Sequence, residues 1–208
     1  MTMVIKRKRS RREQKHAVLR ARIISSAIEL FSRHGFDDIT VERIADVADI
    51  GKGTIYNYFR TKEDIVVAYM AGIEGALQAK IPNFAASRRP LEAVLIDFVR
   101  FHFRLKKRYH RFVRIFLAQM FSRTEQFLPH MLEMQKSIDP PLRELFSRLQ
   151  KSGRIRNDLD LGDLIMVFKT IQLGLTALWA IEGPPFRGTE KVLKQEIKLF
   201  CEGLGART

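Results

Sequence analysis

An all-α fold in two parts is predicted by three observations on the 208-residue chain. Apolar residues recur at helical spacing through most of its length, and no segment alternates apolar with polar as a half-buried strand would. Proline, glycine and short polar clusters cut that pattern into helix-length pieces. Between Ile39 and Lys62, apolar, small and polar residues fall where two short helices joined by a tight turn require them. These features predict a basic, disordered arm at residues 1–16, a three-helix, helix-turn-helix domain at 17–61, and a larger helical domain at 62–208.

The elements follow in order. Residues 1–22 hold nine basic side chains against the single acid Glu13, a block that repels itself. Such an arm either follows phosphates into a minor groove or only solubilises the chain. The first helix is RIISSAIELFSRHGF. The second starts at Val41, with Thr40 as N-cap and Glu42 in the first turn, where the helix dipole favours an acid. Ile44, Ala48, Ile50, Ile55 and Tyr58 then face the partner helix, and Ala45 is small where the two cross. Asp49 stands at the turn position that needs a left-handed backbone, which Asp tolerates. The third helix starts near Gly51 and exposes Lys52, Gly53, Thr54, Tyr56 and Asn57.

That exposed set suits a DNA major groove. Lys52 can donate to guanine O6 or N7, Asn57 can pair with adenine, and Thr54 offers a hydroxyl to phosphate and a methyl to thymine. Gly53 lets the helix approach closely. Tyr56, Tyr58 and Lys62 carry donors for phosphate, and Thr40 joins the set at the start of the second helix. The DNA-binding set is therefore Thr40, Lys52, Gly53, Thr54, Tyr56, Asn57, Tyr58 and Lys62, and the implied partner is a double-stranded DNA operator.

From Ala21 to about Ala71 the strings RIISSAIELFSRHGF, ITVERIADVADI, GKGTIYNYF and RTKEDIVVAYM resemble the DNA-binding domain of the TetR family of bacterial repressors. KGTIYNYF followed by KE is the most specific part. Asp49 stands where the family commonly has Gly, and Gly51 where it has Ser. The resemblance implies that the second and third helices form the helix-turn-helix. It also implies a larger helical domain that dimerises through its last two helices and binds a small inducer.

A connecting helix is expected from Lys62 to about Lys80, capped by Thr61, and then a break at IPNFAASRRP. Leu91, Val94, Leu95, Phe98, Phe101, His102 and Leu105 recur at helical spacing, and a further helix runs from about Arg111 to Ser122. Pro129, Pro140 and Pro141 predict two helices or one kinked helix over 126–149. After the turn KSGRIRNDLD come helices at about Leu161–Glu182 and Thr189–Leu204, separated by GPPFRG. Small Gly174 and Ala177 beside Ile171, Leu178, Trp179 and Ile181 suit close helix packing. With the family pairing this places Ile171, Gly174, Leu178, Leu193 and Ile197 at the homodimer interface.

Phe98, Phe101, His102, Phe112, Phe116, Met120, Met134 and Phe168 are the candidate lining of a ligand pocket, an aromatic and methionine inventory that suits a hydrophobic inducer. Each of them alone also suits plain core packing. From Phe98 through Thr124 there are eight basic residues and no acid. Arg100, Arg104, Lys107, Arg108 and Arg111 would share one face if a helix continued through Tyr109. That face is either solvated or holds an anionic ligand through arginine.

Net charge of +14 points to a polyanionic partner. The lone Cys201 excludes an internal disulfide framework and fits a reducing, cytoplasmic setting. No apolar run follows the N-terminal basic residues, and Leu164 to Ile181, broken by Lys169 and Gln172, reads as too polar to span a membrane. His102 with His110, and His130 with Glu133, lack a third ligand at metal spacing, so neither metal nor cofactor is expected. Asp37 and Asp38 sit in a turn, and no phosphate loop or nucleophile elbow occurs. The expected function is a non-enzymatic, ligand-released repressor. The alternative is a constitutive regulator or activator with no inducer.

Overall fold

The computed structural model describes residues 10–122 and 124–204, which form ten α-helices and no strand. They fall into two compact units, one ending at Val66 and the other starting at Val67. The division therefore lies inside a helix, a few residues beyond the expected boundary at 61/62. Ile65 and Val66 are buried, so the first turn of that helix still serves the first core.

In the first unit α1 spans Arg11–His34 and begins within the stretch expected to be a disordered arm. Ser10 and Glu13 form a capping box: the Ser10 hydroxyl accepts from the Glu13 N–H at 3.2 Å, and the Glu13 carboxylate accepts from the Ser10 N–H at 2.7 Å. The cap and the good helix formers after it outweigh the repulsion between Arg11, Arg12 and Lys15. Lys6, Arg7, Lys8 and Arg9, the rest of the arm, lie outside the described residues. Two short helices follow, α2 at Val41–Val47 and α3 at Lys52–Ile55, and α4 spans Lys62–Gln78. The core takes Ile23, Ala27 and Phe31 from α1, Ile44, Ala45 and Ala48 from around α2, and Ile55 with Phe59. Phe59 was absent from the expected inward set. Ile50 and Tyr58, which were in it, are only half-buried.

The second unit holds the rest of α4, then α5 (Ile81–Ala85), α6 (Leu91–Lys106), a 3-10 turn at Lys107–Tyr109, α7 (His110–Ser122), α8 (Thr124–Lys151), α9 (Leu161–Glu182) and α10 (Arg187–Leu204). The short α5 occupies the expected break, with Pro82 in its first turn, where a missing N–H does no harm. The 3-10 turn ends the shared face proposed for Arg100 to Arg111. Pro129, Pro140 and Pro141 all lie inside one continuous helix rather than between two.

The α9 helix packs against α7, α8 and α10, and α6 packs against α10. It is the one described helix long and apolar enough to cross a membrane. Its Leu164, Ile165, Phe168, Leu175 and Trp179 are buried by those neighbours, so packing rather than the polarity of Lys169 and Gln172 accounts for its hydrophobicity. Two aromatic clusters form the core. Phe98, Phe146 and Phe200 surround Phe168, with ring centroids 5.2 to 6.1 Å away. Trp179 is stacked between Phe103 at 5.3 Å and Phe186 at 4.9 Å, so it fills the core rather than an outer packing face.

Candidate functional site

The first unit presents a short polar surface on α3. Thr40 caps α2, its hydroxyl accepting from the Arg43 N–H at 3.1 Å. Asp49 adopts φ +51°, the left-handed conformation that lets the chain reverse between α2 and α3. Three-residue backbone bonds extend α3, from Asn57 N–H to the Thr54 carbonyl at 3.2 Å and from Tyr58 N–H to the Ile55 carbonyl at 2.9 Å. Lys52, Gly53, Tyr56 and Asn57 are exposed, while Thr54 is half-buried. A Cβ built on Gly53 would meet nothing within 4 Å, so packing inside the unit does not demand glycine there. What glycine leaves is a bare stretch of backbone facing outward.

Three expected phosphate donors have other partners. The Tyr56 hydroxyl donates to the Glu42 carboxylate, which holds that carboxyl below its usual range and raises the phenol. Tyr58 stacks on His16 of α1, with centroids 4.4 Å apart. The Lys62 ammonium donates to the carbonyls of Phe36, Asp37 and Ile39 at 2.6, 3.1 and 3.3 Å. It also lies 4.5 Å from the Phe36 ring centroid. All three of its protons are engaged, so Lys62 closes the α1–α2 loop rather than reaching for a phosphate. The sequence pattern missed this because the accepting carbonyls are more than twenty residues away. It also missed a groove on α1 lined by Arg11, Gln14, Lys15, Val18, Leu19 and Arg22, a basic surface formed only because the helix starts so early.

The second unit encloses a cavity of 410 Å³ bounded by α4, α6, α7, α8 and α9. Its wall is mostly apolar, with Met70, Val113, Phe116, Leu117 and Met120 on one side, and Leu128, Leu132, Met166 and Leu173, all well exposed, at its mouth. Of the candidate lining, His102, Phe116 and Met120 are there. Phe98, Phe112 and Phe168 are instead in the solid core, and Phe101 packs against Phe84. The side chain of Met134 lies outside the described residues. At helical spacing an aromatic that lines a space cannot be told from one that fills it.

The polar end of this cavity was not anticipated. Glu74, His102, Lys106 and Gln172 are each buried and converge there. His102 Nδ1 is in hydrogen-bond contact with the Gln172 amide, and His102 Nε2 lies 3.2 Å from the Glu74 carboxylate. Burial, with the Lys106 charge beside it, holds His102 below the usual histidine value, so the ring is neutral at pH 7. Burial likewise pushes the Lys106 ammonium down to about 8, opposed only in part by the nearby Glu74. No arginine shares this end. Arg100 is tied to Asp97 and Glu190, and Arg104, Lys107, Arg108, Arg111 and Arg114 are exposed.

Among the candidate interface residues, Gly174 is exposed, and Ile171 and Leu178 are half-buried. Leu193 and Ile197 are 1% and 0% exposed within the chain itself, so they belong to its own core and cannot meet a partner. The outward apolar positions nearby are Val167 and Ile181 on α9 and Leu199 on α10.

Residues 23–69 match the family model for bacterial regulatory proteins of the tetR family. The chain is 26% identical over 133 residues to the HTH-type transcriptional regulator RutR of Escherichia coli O157:H7, a match covering 64% of this chain and 62% of that protein. Its fold is that of FadR from Thermus thermophilus, a TetR-family repressor solved with lauroyl-CoA: TM-score 0.68, 22% identity, 91% of this chain and 96% of that one. It is also that of the regulator FadR from Bacillus subtilis, solved with stearoyl-CoA: TM-score 0.71, 19% identity, 89% of this chain and 99% of that one. The short outward-facing α3 lies inside the matched segment, and the chain carries the helix-turn-helix domain of the TetR family of transcriptional regulators, followed by a helical unit with the fold of those solved regulators.

Proposed function

We propose that this regulator is a repressor that binds a palindromic operator as a homodimer, and that a small hydrophobic ligand in the second unit releases it. Lys52, Gly53 and Asn57 meet base edges, with Thr54 and the basic side of α1 on the phosphates. Val167, Ile171, Gly174, Leu178 and Ile181 of α9, with Leu199 of α10, supply the apolar surface for a partner copy, and two copies suit two half-sites one helical turn apart.

The observation that carries the ligand-responsive reading is the 410 Å³ apolar cavity, a volume within the range of small-molecule sites. A constitutive regulator has no need of it, and leaving a core unfilled weakens a fold. The acyl-CoA complexes of the two FadR proteins support the same reading by analogy of fold. Because Met70 and Glu74 of α4 line the cavity and α4 begins at Lys62, a ligand that shifts α4 biases the unit carrying α3. Coupling of about 1–3 kcal/mol would weaken operator binding by roughly 5- to 150-fold.

The test is to map bound sites by genomic footprinting, then measure binding to one of them by fluorescence anisotropy while apolar ligands are added. Release by a ligand that also raises the melting temperature supports the proposal. Tight operator binding that no cavity ligand alters, even when that ligand stabilises the protein, favours the constitutive alternative.

A further inference from the structure

Lys106 is 6% exposed, lines the cavity, and has no hydrogen-bond or ion-pair partner among the described residues. An ammonium in that position is held at a loss, since burial strips its water and nothing replaces it. Its surroundings decide what would. Glu74 is near enough to act on it electrostatically but does not bond to it, and lies against His102 instead. The other charged side chain of the lining is Lys169 of α9, paired with Asp139 of α8 at 2.7 Å; α7 contributes only apolar side chains. A cationic ligand would place a second positive charge beside Lys106, and a neutral one would leave that charge unanswered. A dianion would meet Glu74 with one charge in excess. Arg104, Lys107, Arg108, Arg111 and Arg114, exposed and outside the cavity lining, lie in a stretch with no acid between Phe98 and Thr124, a basic surface that favours the approach of anions.

We propose that the ligand is an apolar monocarboxylic acid whose carboxylate pairs with the Lys106 ammonium, with His102 beside it, while its hydrocarbon body lies between Val113, Phe116, Leu117 and Met120. This rests on the reading of the cavity as a ligand site and adds the chemical class. A bound carboxylate supplies the missing partner and draws the ammonium back toward its ordinary protonation, so acid binding weakens as pH rises past about 8, where Lys106 must first take up a proton. Gln172 holds the His102 ring in place from the other side.

The probes are straight-chain alkanoates from hexanoate to dodecanoate, the primary alcohols of equal length, and decanoyl-CoA, followed by melting temperature and calorimetry on the full chain. The acid is expected to bind about tenfold tighter than its alcohol at pH 7. In Lys106→Met that preference disappears while the alcohol still binds; in Lys106→Arg it is largely kept. Acid and alcohol binding alike to the unaltered protein overturns the carboxylate and leaves the cavity reading standing. So does binding of decanoyl-CoA without decanoate, which assigns the head group to a thioester. If no member of any series binds, the cavity reading itself falls, and this inference with it. The comparison of acid with alcohol needs no variant, so it decides even if Lys106→Met does not fold.

Discussion

Two lysines, Lys62 at the start of α4 and Lys106 at the end of α6, end in opposite situations, and each makes its own prediction. Lys62 donates to three carbonyls at the start of α4. Lys62→Met should therefore lower stability by about 1–3 kcal/mol in urea unfolding, while the dependence of DNA affinity on salt stays as it was; a salt slope reduced by about 1 would show a phosphate contact instead. Lys106 has burial without partners. Its folded value of about 8 lies below the ordinary 10.5, so between these pH values the unfolded chain binds more protons and stability rises with pH. Lys106→Met should raise the stability of the ligand-free protein near neutral pH by up to about 3 kcal/mol, an advantage that fades toward pH 10.5. A variant no more stable than the parent at pH 7 would mean that the ammonium is already solvated. Asn57, exposed on α3, belongs to a third case: Asn57→Ala should relax the base preference at one operator position by about 1–3 kcal/mol, seen as a lost discrimination among operator variants.

The elements show where local signals suffice. Thr40, Thr61 and Asp160 each cap a helix by accepting backbone N–H groups, as their residue types and positions suggest. The turn before α3 obeys the same logic. Asp49 at φ +51° should tolerate Gly without loss, whereas Asp49→Ala should destabilise the first unit by about 1 kcal/mol, measured as a fall in melting temperature. Other elements depend on the balance between signals. The basic charge before residue 17 favoured disorder, yet the Ser10–Glu13 box starts α1 at Arg11. The prolines of α8 allowed two helices or one kinked helix, and the structure has a single helix running through them. At Pro140 and Pro141 the lost N–H groups would have met carbonyls on the preceding turn, and packing against α5 and α9 compensates.

At the scale of the molecule, the second unit divides its apolar surface among a core, a cavity and an outer face. Sequence periodicity marks all three alike. Leu193 and Ile197 share the helical repeat expected of an interface, but α10 turns them inward and leaves Leu199 out. Ile171, Gly174 and Leu178 stay at the surface of α9, beside Val167 and Ile181. A Cβ at Gly174 meets nothing within 4 Å in the chain. Gly174→Glu should therefore leave the protomer folded by circular dichroism, shift the species seen in sedimentation from dimer to monomer, and weaken operator binding at least tenfold. A variant that stays dimeric would place the interface elsewhere.

The sequence alone determined the helix-turn-helix, because its constraints are local: a cap, a left-handed turn residue, small and apolar positions a few residues apart, and a polar face whose donors match base edges. It also determined the helical class of everything that follows. Only the tertiary structure decided which aromatics fill the core and which face a cavity, that Lys62 is a structural clamp, and that Lys106, Glu74 and His102 meet at one buried point. Those outcomes depend on residues brought together from distant helices, and a hydrophobic period records that a side chain turns inward without recording what it finds there.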